Sequence, residues 1–191
     1  MYKDGKPILT FSSQNKWEEW LSKNHDTSDG VWIKFFKKDS GLASFVYREA
    51  LDEALCYGWI DGQANKFDEK SYLQKFTPRH KRSVWSQRNT EHVARLIKEG
   101  KMKLSGLAEI ERAKADGRWD KAYAPPSETV IPDDFLKEIN NNLKAKEFWE
   151  KLNKTNRYAM IWQVDGAKKE ETRTRRINKF IEMLKKGEKL Y

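Results

Sequence analysis

The sequence predicts an α+β fold, in which a small antiparallel sheet flanked by helices is followed by a C-terminal helical bundle. Residues 31–37 place alternate apolar side chains on one side, as a strand requires. Two further strand-like segments follow near residues 63–67 and 72–76, whereas apolar residues elsewhere recur at helical spacing. Adjacent prolines at 125 and 126 then separate this mixed region from a purely helical one.

Two helices are predicted before the hairpin. Ser12 or Ser13 can cap the first, because a serine oxygen accepts from the free N–H groups of the first turn. This helix should end near Asn24. The second starts at Tyr47, keeps an apolar stripe on one face, and should end at Gly58, because glycine is a common C-terminal stop.

The two short strand-like segments form a β-hairpin after the second helix. Pro78 should end its second strand, because proline lacks the N–H that a sheet needs. Two helices follow. Ser86 or Asn89 can cap the first, which Gly100 ends, and the second spans residues 105–116.

The C-terminal part is predicted to be a small bundle of four helices. Pro132 fits the first turn of its first helix, Thr155 can cap the third, and the last helix runs from about residue 168 to 186. The predicted division of the chain is an α+β domain, a Pro-rich linker and a helical domain, over residues 1–122, 123–131 and 132–191.

Composition excludes several classes of protein. The chain has 191 residues, of which eight Trp, seven Tyr and nine Phe can supply a core, so we expect a folded protein. No stretch approaches the roughly 20 apolar residues of a membrane helix, and the first residues lack the pattern of an export signal. One cysteine and three histidines without ligand spacing give no basis for a metal site. We predict a cytoplasmic location, no membrane span and no cofactor.

The net charge of +9 is concentrated in two segments. Residues 75–103 hold nine Lys or Arg against two Glu, and residues 166–191 hold nine against four. Both remaining stretches are close to neutral. Such clustering favours an anionic partner, whereas the simpler interpretation is two solvated helix faces.

Three spaced motifs resemble those of the YdeI/OmpD-associated family, also called bacteriocin-protection proteins. In this sequence they are ALCYGWIDG at 54–62, FTPR at 76–79 with SVWS at 83–86 and Asn89, and AKKEETR at 167–173 with Arg176. The resemblance extends from about Trp17 to Leu184. It implies a link to antimicrobial-peptide tolerance and to outer-membrane porins. The family is sometimes described as periplasmic, a location that the start of this chain does not indicate.

The loop that leads into the third helix is the richest candidate site. It supplies Arg79 for bidentate contact with an anion, Ser83 and Ser86 as hydroxyl donors, Trp85 for ring stacking and Asn89 as an amide. A helix N-terminus directly follows, where free N–H groups favour anions. Ser86 and Asn89 are also ordinary caps, and Trp85 could simply belong to the core.

Other candidates come from the glycine-flanked segment before the hairpin and from the last helix. Trp59 and Asp61 could lie at a cleft edge, with Asp61 as a general base or as the partner of an arginine. Arg173 and Arg176, three residues apart, could close the pocket or form structural ion pairs. Cys56 is better interpreted as a small buried apolar residue than as a nucleophile.

The leading hypothesis is that the chain is a non-catalytic binding protein for a small anionic or aromatic ligand. We predict no metal in its site. Its site would comprise a single pocket of nine residues: Trp59, Asp61, Arg79, Ser83, Trp85, Ser86, Asn89, Arg173 and Arg176. One alternative is a hydrolase or transferase that uses Asp61 as base and the arginines as electrostatic stabilisers. Another, less favoured, is nonspecific nucleic-acid binding along the two basic segments. The sequence identifies no protein partner.

Overall fold

The computed structural model describes residues 1–42, 45–125 and 128–191. Pro126 and Ser127, which belong to the predicted linker, lie outside the described residues. The chain divides into two compact units, Met1–Tyr123 and Ala124–Tyr191. The predicted α+β class is confirmed, since the first unit combines a five-stranded sheet with four helices and the second has helices alone among its described residues.

The described residues of the first unit form five strands and four α-helices. The strands are β1 (Tyr2–Lys3), β2 (Lys6–Leu9), β3 (Val31–Phe36), β4 (Trp59–Lys66) and β5 (Ser71–Pro78). The helices are α1 (Gln14–Asn24), α2 (Tyr47–Cys56), α3 (Gln87–Lys98) and α4 (Leu104–Ala115), with a short 3-10 helix at Lys38–Ser40. Ser13 and Ser86 are the residues that cap α1 and α3, by accepting from Lys16 N and Asn89 N.

The sheet has the order β1-β2-β3-β5-β4. It is mixed rather than purely antiparallel, because β2 pairs with β3 in parallel. The two N-terminal strands were not predicted, since two and four residues are too short to show an alternating pattern. Pro78 ends β5 as predicted, and it is the last residue of the strand. There it pairs with Trp59 at the start of β4.

The core of the first unit is aromatic. Trp17, Trp59 and Phe76 are fully buried. The ring centroid of Trp17 lies 6.3 Å from that of Trp59 and 5.7 Å from that of Phe76. Edge-to-face and tilted contacts at such distances stabilise beyond the area that they bury. The indole N–H groups also have partners: Trp17 donates to Ala50 O and Trp59 to His25 O, each at 3.0 Å. These contacts hold α1 and α2 on one face of the sheet.

Helix α4 approaches the turn between α2 and β4 very closely. A Cβ built on Gly106 would lie 2.2 Å from Cys56 O, so only glycine fits there. Gly58 has φ +77°, the left-handed region that glycine tolerates, and its carbonyl accepts from Arg79 N at 3.0 Å. The backbone of this turn thereby positions the first residue after β5.

The second unit is a four-helix assembly around a small core. Its helices are α5 (Asp133–Asn140), α6 (Leu143–Lys151), α7 (Lys154–Asp165) and α8 (Glu170–Lys185). Phe135, Met160 and Phe180 are fully buried at its centre. The predicted cap of α7 was wrong: Asn153 caps this helix by accepting from Asn156 N, and Thr155 lies inside its first turn. Pro132 is the residue before α5 rather than in its first turn.

Among the described residues, no helix is long and apolar enough to cross a membrane. The same residues contain no group of three or more His, Cys, Asp or Glu that could hold a metal ion.

Candidate anion-binding site

Arg79 follows β5 directly and turns its side chain inward. Its N–H is held by Gly58 O, and only 5 % of the residue is exposed. Charged side chains are almost never buried to this extent without an ionic partner. No carboxylate of the described residues lies within ion-pair distance of Arg79.

Two consecutive carbonyls of the following loop bind two guanidinium groups. Arg79 Nη1 donates to Val84 O at 3.0 Å, and Arg118 Nη1 donates to Ser83 O at 2.7 Å. Arg118 also forms an ion pair with Asp116, to whose two carboxylate oxygens its Nε lies at 2.8 Å. The loop therefore brings together one compensated and one uncompensated guanidinium.

Trp85 forms the base of this cluster. The Arg79 guanidinium carbon lies 3.5 Å from the Trp85 ring centroid, which is close cation–π contact. Trp119 lies 4.8 Å from Trp85 between ring centroids. Main-chain hydrogen bonds from Tyr123 N to Trp85 O and from Gln87 N to Tyr123 O, both 3.0 Å, fix the loop. One face of Trp85 is thus already covered, which leaves that face unavailable for stacking on a ligand ring.

Three buried donor nitrogens of Arg79 and Trp85 have no hydrogen-bond partner among the described residues. They are Nε and Nη2 of Arg79 and Nε1 of Trp85. Leaving one such group unpaired in the interior costs about 1–3 kcal/mol. All three are donors, so the group that would satisfy them is an acceptor, and a positive charge beside them selects an anion.

The charge on Arg79 persists at neutral pH. Burial lowers the pKa of Arg79 to about 10, and the negative charges of Asp61 and Glu109 oppose that decrease. The nearby positive charge of Arg118 acts in the same direction as burial. The site therefore holds a cation at a large cost in solvation, which a bound anion would offset.

Asp61 lies on β4, where it is paired in register with Phe76. Its Oδ2 accepts from Tyr47 Oη at 2.7 Å, which joins α2 to the sheet. Burial, followed by this hydrogen bond, raises the pKa of Tyr47. The negative charge of Asp61 acts to raise the pKa of Arg79. The hydrogen bond of Asp61, however, is with the Tyr47 hydroxyl.

The other predicted residues of the first unit have local partners. Ser86 Oγ caps α3, and Ser83 Oγ accepts from His80 N at 3.0 Å. Asn89 is buried in the first turn of α3. Trp59 is 1 % exposed and belongs to the aromatic core. The structure thus brings Arg79 and Trp85 into direct contact, whereas Ser83, Ser86, Asn89 and Trp59 have loop, cap, helix and core positions of their own.

Arg173 and Arg176 are both engaged within the second unit. Arg173 donates from Nη2 to Asp134 Oδ1 at 2.8 Å and from Nη1 to Val164 O at 3.1 Å. Arg176 Nη1 donates to Gln163 O. Arg173 therefore pairs with Asp134, and Asp165 Oδ1 lies 3.9 Å from its Nη1.

Sequence reasoning missed Arg118 and Trp119 as members of the cluster, and it missed Tyr47 as the hydrogen-bond partner of Asp61. Arg118 and Trp119 lie just after α4, some 35 residues beyond the loop that they contact. Arg118 and Trp119 supply the same two groups as Arg79 and Trp85, a guanidinium and an indole. This repeated pairing was the signal in the sequence that could have identified them. Cys56 is buried, and burial raises its pKa to about 12, as a small apolar role requires.

Two family models match the chain, one in each unit. Residues 9–109 match a domain of unknown function, DUF8412. Residues 128–187 match the family described as Bacteriocin-protection, YdeI or OmpD-Associated, which confirms the family resemblance over the segment that holds the third motif. The first two motifs lie within the DUF8412 match. No curated protein and no solved structure matches the chain.

Proposed function

This chain belongs to the DUF8412 family, whose model matches more than half of it, and its second unit is similar to the YdeI or OmpD-associated, bacteriocin-protection family; we propose that the first unit is a non-catalytic binding domain for a small anion. The anion accepts hydrogen bonds from Nε and Nη2 of Arg79 and is stabilised by the adjacent guanidinium of Arg118. The observation that carries the proposal is the set of three buried donors without an acceptor.

Arg79 offers the geometry that anion recognition needs. Its Nη1 is used by Val84 O, and its Nε and Nη2 remain as a parallel pair on one edge of the guanidinium. This edge matches the two oxygens of a carboxylate or phosphate. The Trp85 ring lies against the Arg79 guanidinium and restrains it, so the Arg79 side chain loses little rotamer entropy when an anion binds.

The first experiment compares thermal unfolding of the full chain with and without inorganic phosphate or acetate. At 100 times the dissociation constant, a bound anion adds about 2.7 kcal/mol to the free energy of unfolding. Tryptophan fluorescence is recorded in parallel, because Trp85 lies against the binding group. We expect at least one of the two anions to raise the unfolding temperature.

Arg79→Met is the decisive variant. Methionine fills a similar volume without a charge, so this variant should fold while losing the response to the anion. Arg79→Lys keeps the charge but lacks the paired donors, and its affinity should fall at least tenfold. Arg82→Met, which changes an exposed arginine of the same loop, is the matched control and should respond as the native chain does.

Stabilisation of Arg79→Met by the anion to the native extent would disprove the proposal. So would the absence of any response from the native chain, since ordered water would then be what satisfies the three donors.

Four further hypotheses stay predictions. Enzymatic use of Asp61 and nucleic-acid binding along the basic segments are not favoured by any contact in the cluster. The cytoplasmic location and the link to envelope stress or antimicrobial-peptide tolerance rest on the sequence and on the family resemblance.

A further inference from the structure

An aromatic groove lies where β3 ends and α2 begins. Its volume is about 480 Å³, within the usual range for a small-molecule site. Phe35 lines it and is stacked on Tyr72, with ring centroids 5.5 Å apart. Phe45 and Tyr47 contact the same ring at 5.3 and 6.5 Å. The floor is therefore a continuous apolar surface.

Two large aliphatic side chains at this groove are about half exposed to solvent. Leu42 is 52 % exposed and Val46 is 57 % exposed, and both line it. Val46 is also the N-cap residue of α2, a position that favours Ser, Thr, Asp or Asn because valine offers no acceptor. Helix stability therefore does not explain the valine, whereas an apolar contact with a ligand does.

The charged residues that line the groove are both cations. They are Lys37 and Lys38. Lys37 Nζ donates to the main-chain oxygen of Glu69 at 2.9 Å, and neither lysine forms an ion pair with a carboxylate in the part of the chain that the structure describes. No carboxylate is present among the described lining residues. An apolar surface bordered by positive charge complements a molecule with an apolar body and a negative end.

We propose that this groove binds a carboxylate with an apolar body of medium-chain size. The apolar body lies on Phe35 and Phe45 and is covered by Leu42 and Val46, while the carboxylate is paired with Lys37 or Lys38. The Tyr47 hydroxyl is not part of this recognition, because it already donates to Asp61. The site is separate from the Arg79 cluster and does not depend on anion binding there.

Isothermal titration of the full chain with decanoate, with 2-naphthoate and with uncharged decanol tests the proposal. We expect decanoate or 2-naphthoate to bind, and decanol to bind at least fivefold more weakly than decanoate. Backbone amide shifts in a ¹⁵N-labelled sample should change at Leu42 and Val46. Failure of both carboxylates to bind, or equal binding of decanol and decanoate, would overturn the proposal.

Val46→Asp removes the apolar rim and introduces a repelling charge. It also supplies the side-chain acceptor that valine cannot offer at the N-cap, next to the Glu49 carboxylate that already accepts from the N–H of residue 46, so we expect a fold about as stable as the native one. Its affinity for decanoate should fall at least tenfold, and that of Val46→Ser, which caps without a charge, should fall less.

Leu104→Asp is the control, because it changes an apolar residue that is 86 % exposed and lies outside the groove. Equal losses in Val46→Asp and Leu104→Asp would indicate nonspecific adsorption and overturn the proposal. Arg79→Met should keep its affinity for decanoate, which distinguishes this site from the anion site of the Arg79 cluster.

Discussion

Arg79 in the first unit and Arg173 in the second have opposite surroundings. Arg173 is 21 % exposed in its side chain and forms an ion pair with Asp134 through two of its nitrogens. Arg79 is more deeply buried, yet it donates one hydrogen bond to a carbonyl and leaves two N–H groups unpaired. A guanidinium whose donors are used inside the fold is structural, whereas one whose donors are unused is available to a ligand.

The same contrast separates other buried polar groups of the two units. In the second unit, Asn156 is 1 % exposed and fully used: its Oδ1 accepts from Leu190 N and Tyr191 N at 2.8 and 3.0 Å. In the first unit, Trp85 Nε1 has no acceptor among the described residues. Stability accounts for the polar groups of the second unit, and it does not account for the Arg79 cluster.

The largest expected effect is that of Asn156→Ala. This change removes an acceptor shared by two main-chain N–H groups, and it should lower the free energy of unfolding by about 2–3 kcal/mol. Urea unfolding followed by circular dichroism measures the loss, and amide hydrogen exchange at Leu190 and Tyr191 should become faster.

Asn142→Ala is the control for that variant, because Asn142 caps α6 by accepting only from Ala145 N. It should cost about 1 kcal/mol and leave exchange at the C-terminal amides unchanged. A loss in Asn156→Ala no larger than this would show that the tail contacts contribute nothing.

The direct test of the comparison replaces each arginine by methionine. Arg173→Met breaks the ion pair with Asp134 at a partly exposed position and should cost about 1 kcal/mol. Arg79→Met removes an uncompensated buried charge, so without added anion its free energy of unfolding should be unchanged or higher. The urea midpoints of both variants measure this difference. A larger loss in Arg79→Met than in Arg173→Met would contradict the distinction between the two arginines.

The smallest expected effect is a difference in acid sensitivity. The Arg173 guanidinium holds the pKa of Asp134 below its usual value. A carboxylate whose pKa is lowered by folding adds stability above its unfolded pKa of about 3.9 and loses it as pH falls through the folded pKa. Arg173→Met should therefore lose less stability between pH 7 and pH 3 than the native chain.

Urea midpoints at the two pH values measure this difference, which we expect to be below about 1 kcal/mol because Asp134 is largely exposed. Identical pH dependence in the two proteins would contradict the assignment of the lowered pKa to Arg173. Arg79→Met serves as the second reference, since Arg79 has no carboxylate within ion-pair distance among the described residues.

Local patterns predicted the elements whose side chains repeat over several turns. The helix from Tyr47 and the strand from Val31 both start where their periodicity starts. The caps of α1 and α3 were narrowed to two candidates each, Ser12 or Ser13 and Ser86 or Asn89, and the structure shows that Ser13 and Ser86 are the caps. The cap at Asn153 was missed, because Thr155 is equally suited by type and only the backbone conformation distinguishes the two.

The sequence by itself determined the α+β class, the aromatic core, the family and the basic loop that carries Arg79. These features depend on residue type and on spacing along the chain, which periodicity and composition record directly. Which arginine would lack a partner depended instead on contacts between distant segments. Asp134 reaches Arg173 across 39 residues, and Arg118 reaches Ser83 across 35. Only the tertiary structure brings such groups to within 3 Å, and the energy of a buried charge depends on what lies at that distance.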